Sequence, residues 1–297
     1  PAETSLIPQC FKAFPGINPA AGAAPLGEIR QRRLGRTDLM VTELGLGTLD
    51  TGQVPEGKET IGLALDLGIN FIDTARIYEG SEYFIGEVIR ERGHKSFYIA
   101  TKTIKRSSDG CQYDVDRSLR LLGVEKIDLY QLDDVSPDDW DEAMNEKGAL
   151  AGLKEARELG VIDHIGISSH SLAVLEKAIT CGEFETVMLE YSAFYQDTER
   201  LIALAKERDV GIISMRPLGG SGRVSSLRTQ TRAAEHELLL SPAMLLRYVL
   251  SNPDISVAIP GARYPSRVRE NVDLALTYQP LDESQKRDCE AQARLLF

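Results

Sequence analysis

The sequence predicts an α/β protein whose main part is a (β/α)₈ TIM barrel. Two observations favour this fold class. Eight short β-rich runs alternate with stretches of helical periodicity along the chain. Each run is a nearly continuous apolar segment, as expected for a parallel strand that is buried on both faces. An open doubly wound sheet is the alternative that the same alternation allows, but eight strand-then-helix units fit a closed barrel better.

The N-terminal segment, residues 1–28, has a different composition from the rest of the chain. It is rich in Pro, Ala and Gly and has no sustained periodicity, so it is interpreted as an extended arm. The chain begins with Pro1 rather than Met, which leaves a processed leader open. Residues 29–297 are predicted to form a single barrel, with the folded unit starting near Arg32. A length of 297 residues with 42% apolar content is enough for a large core.

The predicted elements follow in order along the chain. The eight strands are residues 41–48, 70–75, 96–102, 126–133, 163–169, 186–192, 210–217 and 255–262. Helical stretches with apolar residues at three and four spacing include residues 58–68, 148–160 and 241–252. Another helix is predicted to begin at a Ser171 cap and to stop at Gly182. Because barrel chemistry collects where strands end and the following loops begin, polar residues at strand ends are the candidates for a site.

The composition limits the kinds of molecule that the protein is expected to bind. Acidic residues outnumber basic ones 45 to 34, which gives a net charge of −11 and argues against nucleic acid as a partner. The cysteines are far apart and lack CxxC spacing, so we predict free thiols in the cytoplasm and no metal site. They are Cys10, Cys111, Cys181 and Cys289. No apolar run reaches the roughly 18 residues of a membrane helix. A small-molecule substrate and a monomer or small homo-oligomer are expected.

Polar residues follow most of the predicted strands. They are Asp73 and Tyr78, Lys102, Asp133 and Asp134, Ser168 and Ser169, Glu190 and Tyr191, and Arg216. Any one of them is as well explained by a helix cap or by contact with solvent. Asp73, Tyr78 and Lys102 come from neighbouring strands and suit one task together. A lysine ammonium favours ionisation of a nearby tyrosine, whose usual pKa is about 10, and an aspartate holds that lysine charged, so the tyrosine can exchange a proton with substrate.

Several motifs, in the same order, resemble the aldo-keto reductases. They are "LGRTDLMVTELGLGT" (34–48), "FIDTARIYEGSE" (71–82), "IATK" (99–102), "GISSHS" (166–171), "LEYS" (189–192), "SMRPLGG" (214–220) and "IPGARYPSRVREN" (259–271). The resemblance covers roughly residues 30 to 280. It implies a barrel that binds a nicotinamide cofactor, usually NADPH, without a Rossmann domain. The lack of a GxGxxG fingerprint after the first strand agrees with this.

The resemblance also implies roles for individual residues. Tyr78 matches the general acid, and Asp73 and Lys102 match the pair that tunes it. The positions matched to the cofactor site are Ser168, Ser169, Glu190, Arg216, Leu218, Gly261, Arg263, Arg267, Glu270 and Asn271, with Asp50 a looser match. Ser168 and Ser169 would bind the nicotinamide carboxamide. Arg263 could pair with a 2′-phosphate. Gly261 replaces a lysine that often marks NADPH binding, yet NADP(H) is favoured over NAD(H). The alternative to a cofactor contact is that Arg263, Arg267 and Arg269 form an exposed basic helix face.

One position departs from the family pattern. The fourth catalytic residue of the family is a histidine that ends the fourth strand, and here the stretch reads "LYQLDD", with Asp133 in its place. Three hypotheses follow. Burial and the neighbouring carboxylates keep Asp133 protonated, so that it donates as histidine would, as in relatives that reduce enones. Alternatively, ionised Asp133 acts as a base in alcohol oxidation or in a non-redox, lyase-like proton transfer. In the third hypothesis, the substitution disables chemistry and leaves a nucleotide-sensing or weakly active protein.

The other histidines are poor replacements. His94 and His164 are at strand starts, on the wrong face of a barrel, and His170 is expected beside a helix cap. His236 lies in a long polar segment, residues 221–237, which is either a lid over a bound dinucleotide or a surface loop.

The motifs and the strand-end residues together predict oxidoreduction of a small carbonyl, enone or hydroxyl compound through Tyr78.

Overall fold

A computed structural model describes residues 27–93, 97–220, 222, 223, 225, 227 and 240–296. Residues 1–26 of the predicted arm, His94, His236 and most of the predicted lid lie outside these residues. The folded chain starts with a hairpin of β1 (Gln31–Arg33) and β2 (Met40–Thr42), which pair in antiparallel register.

Eight further strands form one parallel sheet in chain order. They are β3 (Leu46–Gly47), β4 (Phe71–Asp73), β5 (Tyr98–Thr103), β6 (Ile127–Leu132), β7 (Ile162–Ser168), β8 (Thr186–Glu190), β9 (Gly211–Met215) and β10 (Val257–Ala258). Parallel bridges join Leu44 to Ala258 and Gly47 to Gly261, and the Gly45 amide donates to the Ala258 carbonyl at 2.8 Å. The sheet therefore closes on itself, and the predicted (β/α)₈ barrel is confirmed over the open sheet.

The prediction of one first strand over residues 41–48 is wrong in detail. Residues 40–42 belong to the hairpin, and only Leu46 and Gly47 lie in the barrel. The chain turns between them because the Thr42 amide donates to Asn70 Oδ1 at 2.7 Å, while the Thr42 hydroxyl donates to the Leu44 carbonyl at 2.8 Å. A single apolar run thus forms two short strands, which pair with different neighbouring strands.

Ten α-helices have both ends among the described residues, besides two short 3₁₀ helices, Gly35–Thr37 and Thr51–Gln53. They are α1 (Gly57–Asp66), α2 (Ser81–Arg92), α3 (Ser108–Leu122), α4 (Trp140–Met144), α5 (Ala149–Glu158), α6 (Leu172–Thr180), α7 (Glu199–Glu207), α8 (Pro242–Leu250), α9 (Pro265–Thr277) and α10 (Glu283–Leu296). The helices predicted from periodicity are confirmed as α1, α5, α6 and α8, with ends that differ by up to two residues. The predicted Ser171 cap is also confirmed, since its hydroxyl accepts from the Val174 amide at 3.4 Å.

The inside of the barrel changes character along the strands. We call the end of the barrel at the N-terminal ends of the strands the lower end, and the opposite end the upper end. A compact apolar cluster fills the lower half, and the hairpin region contributes Leu34 and Val41 to it. Strand residues in this cluster are Phe71, Ala100, Leu129, Met188, Ile213 and Val257. Strand side chains alternate between faces, so the residue two positions further on points inward again. Those next inward residues include Asp73, Lys102 and Gln131, all buried. The strand period therefore places the charged groups directly above the apolar plug, at the C-terminal end of the barrel.

Candidate active site

Asp73, Lys102 and Tyr78 meet at the C-terminal ends of β4 and β5. The Lys102 ammonium donates to Asp73 Oδ2 and to the Thr74 carbonyl, both at 2.7 Å, and lies 3.5 Å from the Tyr78 hydroxyl oxygen. Asp73 and Lys102 are buried, whereas Tyr78 is partly exposed. Because the ammonium donates to the phenol oxygen, the proton of Tyr78 must point away from Lys102. The geometry thus presents a phenolic proton to the mouth of the barrel.

The charges of this group shift its ionisation. Burial raises the pKa of Asp73 to about 6, although the Lys102 charge opposes the shift. Burial lowers the pKa of Lys102, but the surrounding Asp73, Tyr78 and Asp133 outweigh it, so the net pKa is raised. Burial also raises the pKa of Tyr78 against the influence of Lys102, and Asp73 and Asp133 add to the increase. The sequence led us to expect that Lys102 promotes ionisation of Tyr78. In the structure burial wins, and Tyr78 keeps its proton at neutral pH.

Asp133 lies just beyond β6 and is buried. The Ser168 hydroxyl donates to Asp133 Oδ1 at 2.8 Å and accepts from the Asp134 amide at 2.8 Å. The Asp133 amide donates to the Thr103 carbonyl at 2.8 Å, which ties it to the end of β5. Ser168, expected to contact a nicotinamide, is therefore also the residue that orients Asp133. The Ser168 hydroxyl thus binds one of the two carboxylate oxygens of Asp133.

Arg106 holds the loop that follows Asp133. Its guanidinium donates to the carbonyls of Asp133 and Asp134 at 2.8 and 2.9 Å, and to Asp139 Oδ2 at 3.2 Å. Asp134 has φ of 46°, in the left-handed region that non-glycine residues seldom adopt. Strain of this kind persists only where surrounding contacts fix the backbone. Sequence reasoning missed Arg106, since nothing in its position three residues past β5 separates it from a solvent-facing arginine.

Sequence reasoning also missed Gln131, whose side-chain amide lies 3.5 Å from Asp73 Oδ1 as a donor. The signal was present, because Gln131 lies two residues after the inward Leu129 and two before Asp133. An amide at this position orients Asp73 without adding charge.

Glu190 and Arg216 come together at the ends of β8 and β9. Arg216 Nη1 lies 3.5 Å from Glu190 Oε2, and His170 Nδ1 lies 3.7 Å from the same oxygen. Glu190 is largely buried, whereas His170 and Arg216 are exposed at the rim. Arg216 has φ of 49°. Leu218 follows, partly buried against the core. The structure thus places the Glu190 carboxylate beside the Arg216 guanidinium and the His170 imidazole.

The remaining predicted cofactor positions lie beyond β10. Arg263 Nη2 is 3.3 Å from Asp50 Oδ1, and the pair raises the pKa of Arg263. Gly261 bridges to Gly47 at the closure of the barrel. Three more positions lie on α9. They are Arg267 and Glu270, which form an ion pair at 2.6 Å, and the partly exposed Asn271. Helix α9 begins with Pro265 and its N-cap residue makes no side-chain cap bond. Arg263 and the amides at this N-terminus fit a phosphate group.

The other predicted histidine and serine sites are also located. His164 pairs with Glu185 at 2.8 Å at the start of β7, remote from the strand ends. The Ser169 hydroxyl donates to the Val135 carbonyl at 2.6 Å and accepts from the Ser171 amide at 3.0 Å. Among the residues described, no cluster of His, Cys, Asp and Glu suits a metal ion. The described helices include none that is both long and apolar enough to cross a membrane.

The fold and the Asp73, Lys102 and Tyr78 arrangement define a barrel oxidoreductase, and comparisons with known proteins agree. The model of the aldo/keto reductase family matches residues 43–293, so the chain belongs to that family. It is an NAD(P)-dependent oxidoreductase that acts on small molecules.

Relatives extend over most of the chain. "Uncharacterized oxidoreductase YqkF" of Bacillus subtilis (strain 168) is 27% identical over 285 residues, which cover 83% of this chain and 91% of the relative. Methylglyoxal reductase DkgB of Escherichia coli O157:H7 is 29% identical and covers 80% and 79%. Among solved structures, the holo form of aldo-keto reductase AKR11C1 from Bacillus halodurans matches with a TM-score of 0.75 at 25% identity, over 89% of this chain and 96% of that one.

Proposed function

We propose that this protein reduces a small carbonyl or enone compound, or oxidises the corresponding hydroxyl compound, with Tyr78 as the group that exchanges the proton. The observation that carries the proposal is the contact of one buried ammonium, Lys102, with both Asp73 and the Tyr78 hydroxyl. A bound nicotinamide supplies or accepts the hydride. Tyr78 supplies the proton in reduction, and Lys102 stabilises the phenolate that remains.

Asp133 sets the chemistry apart from that of the histidine-containing relatives. Neutral histidine donates to a substrate oxygen, whereas an ionised carboxylate only accepts. The Ser168 hydroxyl supports the accepting role at Oδ1. With Asp133 ionised, the group holds two carboxylates and one ammonium, which disfavours negative charge on a substrate oxygen unless Tyr78 transfers its proton early. We therefore propose that Tyr78 carries a larger share of the proton transfer than in a site with histidine.

The test compares the native protein with Asp133→His and Asp133→Asn. NADPH and NADH consumption is measured with a panel of aldehydes, ketones and enones. We expect the native chain to turn over at least one compound that Asp133→His reduces more slowly, and Asp133→Asn to fall between them if charge matters more than shape. Turnover by Asp133→His alone would instead identify Asp133 as a silencing substitution.

We propose NADP(H) as the preferred cofactor. The exposed guanidinium of Arg263 next to the uncapped start of α9 supports this, and the name of the Schizosaccharomyces pombe relative Aldo-keto reductase yakc [NADP(+)] agrees. We expect Arg263→Ala to weaken NADPH binding about tenfold more than NADH binding, since a guanidinium pairs with the 2′-phosphate alone. Quenching of the single tryptophan, Trp140, or a calorimetric titration gives both dissociation constants. Equal weakening of both cofactors would contradict the proposal.

A second function is favoured by one observation, the carboxylate of Asp133 where a donor is expected. A catalytically weak, lyase-like or nucleotide-sensing protein would bind the cofactor and still lack turnover. Product formation without change in nicotinamide absorbance would identify a lyase, and binding without product would identify a sensor. A single barrel from residue 29, a monomeric or small oligomeric state, the lack of a nucleic-acid partner and a cytoplasmic location stay predictions.

A further inference from the structure

Arg76 lies in the loop between β4 and α2, two residues before Tyr78. Its guanidinium forms an ion pair with Glu82 on α2, and its Nε lies 3.8 Å from Asp114 Oδ1 on α3. The side chains of Glu82 and Asp114 are only 2% and 9% exposed. Arg76 therefore lies next to two buried carboxylates, directly behind the loop that carries Tyr78.

Both carboxylates are also attached to β5, the strand of Lys102. The Thr101 hydroxyl donates to Glu82 Oε1 at 2.7 Å, and the Thr103 hydroxyl donates to Asp114 Oδ2 at 2.5 Å. Thr101 and Thr103 flank Lys102 in sequence, so strand alternation turns them outward while Lys102 points into the barrel. The outward face of β5 is thus joined through Glu82 and Asp114 to Arg76.

The backbone closes the same connection. The Arg76 amide donates to the Lys102 carbonyl at 2.9 Å, and the Tyr78 amide donates to the Ala75 carbonyl at 3.0 Å. The main chain therefore fixes Arg76 to β5. The Arg76 side chain is held by its ion pair with Glu82 and by a longer contact with Asp114 that is not a hydrogen bond. We propose that Arg76 is a positioning residue which sets the separation between the Tyr78 hydroxyl and the Lys102 ammonium. This inference rests on the proposed role of Tyr78.

The alternative is that Arg76 only neutralises two buried acids. Positioning and neutralisation predict different kinetics. A displacement of about 1 Å in reacting groups lowers the rate about 10²-fold without loss of ligand binding. Neutralisation alone affects stability and leaves turnover per folded molecule unchanged. The chain offers a matched control at the other end of the barrel, where Arg32 pairs with buried Glu43. The side chains of Arg32 and Arg76 are 18% and 17% exposed.

The experiment measures kcat, KM for cofactor and substrate, and the pH profile of kcat for Arg76→Lys and Arg76→Met, with Arg32→Lys and Arg32→Met as controls. We expect Arg76→Met to lower kcat about 10²-fold with cofactor KM within about twofold. Arg76→Lys should recover part of the loss, because an ammonium can pair with one carboxylate. The basic limb of the pH profile should shift in both Arg76 variants. Both Arg32 variants should keep kcat per folded molecule within about twofold.

Arg76→Met leaves two carboxylates without their counter-charge, and this change by itself can prevent folding. A triple variant, Arg76→Met with Glu82→Gln and Asp114→Asn, removes the three charges together and keeps the shapes. We expect the same loss of kcat in this variant. A folded single or triple variant with native kcat and an unshifted pH profile would overturn the inference. Tyr78→Phe is assayed in parallel: native activity in Tyr78→Phe would refute the proposed acid, whereas an inactive Tyr78→Phe beside a fully active Arg76→Met would refute only the role of Arg76.

Discussion

The two ends of the barrel each contain a buried ion pair with a tyrosine beside it, and the two tyrosine hydroxyls make different contacts. At the lower end Arg32 pairs with Glu43 at 2.6 Å, and the Tyr278 hydroxyl donates to Glu43 at 3.1 Å. At the upper end Lys102 pairs with Asp73 at 2.7 Å and donates to the Tyr78 hydroxyl at 3.5 Å. Arg32 Nη2 likewise lies 3.5 Å from the Tyr278 hydroxyl oxygen, so both tyrosines contact the cation. The residue classes are the same, and the difference is that only the lower tyrosine donates to the carboxylate.

That difference decides where each phenolic proton points. The Tyr278 hydroxyl donates to Glu43, and Arg32 also donates to the carbonyls of Leu250, Asn252 and Ile255. Burial raises the pKa of Tyr278 to about 12, so this group stays protonated and closed. Tyr78 accepts from Lys102, which leaves its own proton directed away from the ion pair. The lower tyrosine therefore donates within its ion pair, and the upper tyrosine does not.

Removing the tyrosine hydroxyl from each end of the barrel tests this difference most directly. We expect Tyr78→Phe to lower kcat by about 10²- to 10⁴-fold, the usual contribution of a general acid, with little change in stability. Tyr278→Phe should leave kcat unchanged and lower the free energy of unfolding by about 1–2 kcal/mol, because Glu43 loses a buried donor. Steady-state kinetics and urea unfolding measure the two effects. Equal losses of kcat would show that the two tyrosines act through stability alone.

Removing one cation from each end sharpens the same contrast. Lys102→Met leaves the buried carboxylate of Asp73 unpaired and should lower the free energy of unfolding by about 3–5 kcal/mol. Arg32→Met should lower it by less, because Glu43 keeps its contact with Arg30 at 3.5 Å. Only Lys102→Met should abolish turnover per folded molecule, since it also removes the group that stabilises the phenolate. Activity is normalised to the folded fraction from circular dichroism. A fully active Lys102→Met variant would contradict the assignment of the upper pair.

The raised pKa of Asp73, about 6, predicts opposite trends for activity and stability with pH. Below about pH 6 Asp73 is protonated and no longer orients Lys102, so kcat should fall as the pH falls through this value. The native state also binds the Asp73 proton more readily than the unfolded state does. The contribution of this group to stability is therefore largest below about pH 4 and is lost as the pH rises to about 6, by at most about 3 kcal/mol at about 1.4 kcal/mol per pKa unit.

Asp73→Asn separates this contribution from the other groups. Its unfolding free energy should decrease less than that of the native protein between pH 4 and 6, and the difference between the two curves is the measured quantity. An identical pH dependence of stability in both proteins would show that Asp73 titrates elsewhere.

The smallest expected effects come from helix caps, which test whether location at the upper end is enough to affect chemistry. The Ser107 hydroxyl accepts from the Gly110 amide at 3.3 Å at the start of α3, and the Ser241 hydroxyl accepts from the Met244 amide at 3.1 Å at the start of α8. Ser107→Ala and Ser241→Ala should each lower the unfolding free energy by about 1 kcal/mol. Both should keep native kcat in the same assay. A loss of kcat in Ser107→Ala alone would extend the site to α3.

Much of the molecule was predictable from local pattern. Strand and helix periods indicated the barrel, because each strand is an apolar run and each helix has one apolar face. The same periods placed Asp73, Lys102 and Asp133 at strand ends, so the upper group was predictable from the sequence. The first strand was predicted too long, because one apolar run cannot reveal that Thr42 and Asn70 turn the chain between two short strands.

The sequence by itself determined the fold class, the positions of the charged residues along each strand and the replacement of the expected histidine by Asp133. Only the tertiary structure decided which groups are partners. Burial raises the pKa of Tyr78 by more than Lys102 lowers it, and the Ser168 hydroxyl donates to Asp133. Arg76, Arg106 and Gln131 acquire their roles through residues distant in sequence. The physical reason is that desolvation and hydrogen bonding depend on the full three-dimensional surroundings of a group, which no local pattern contains.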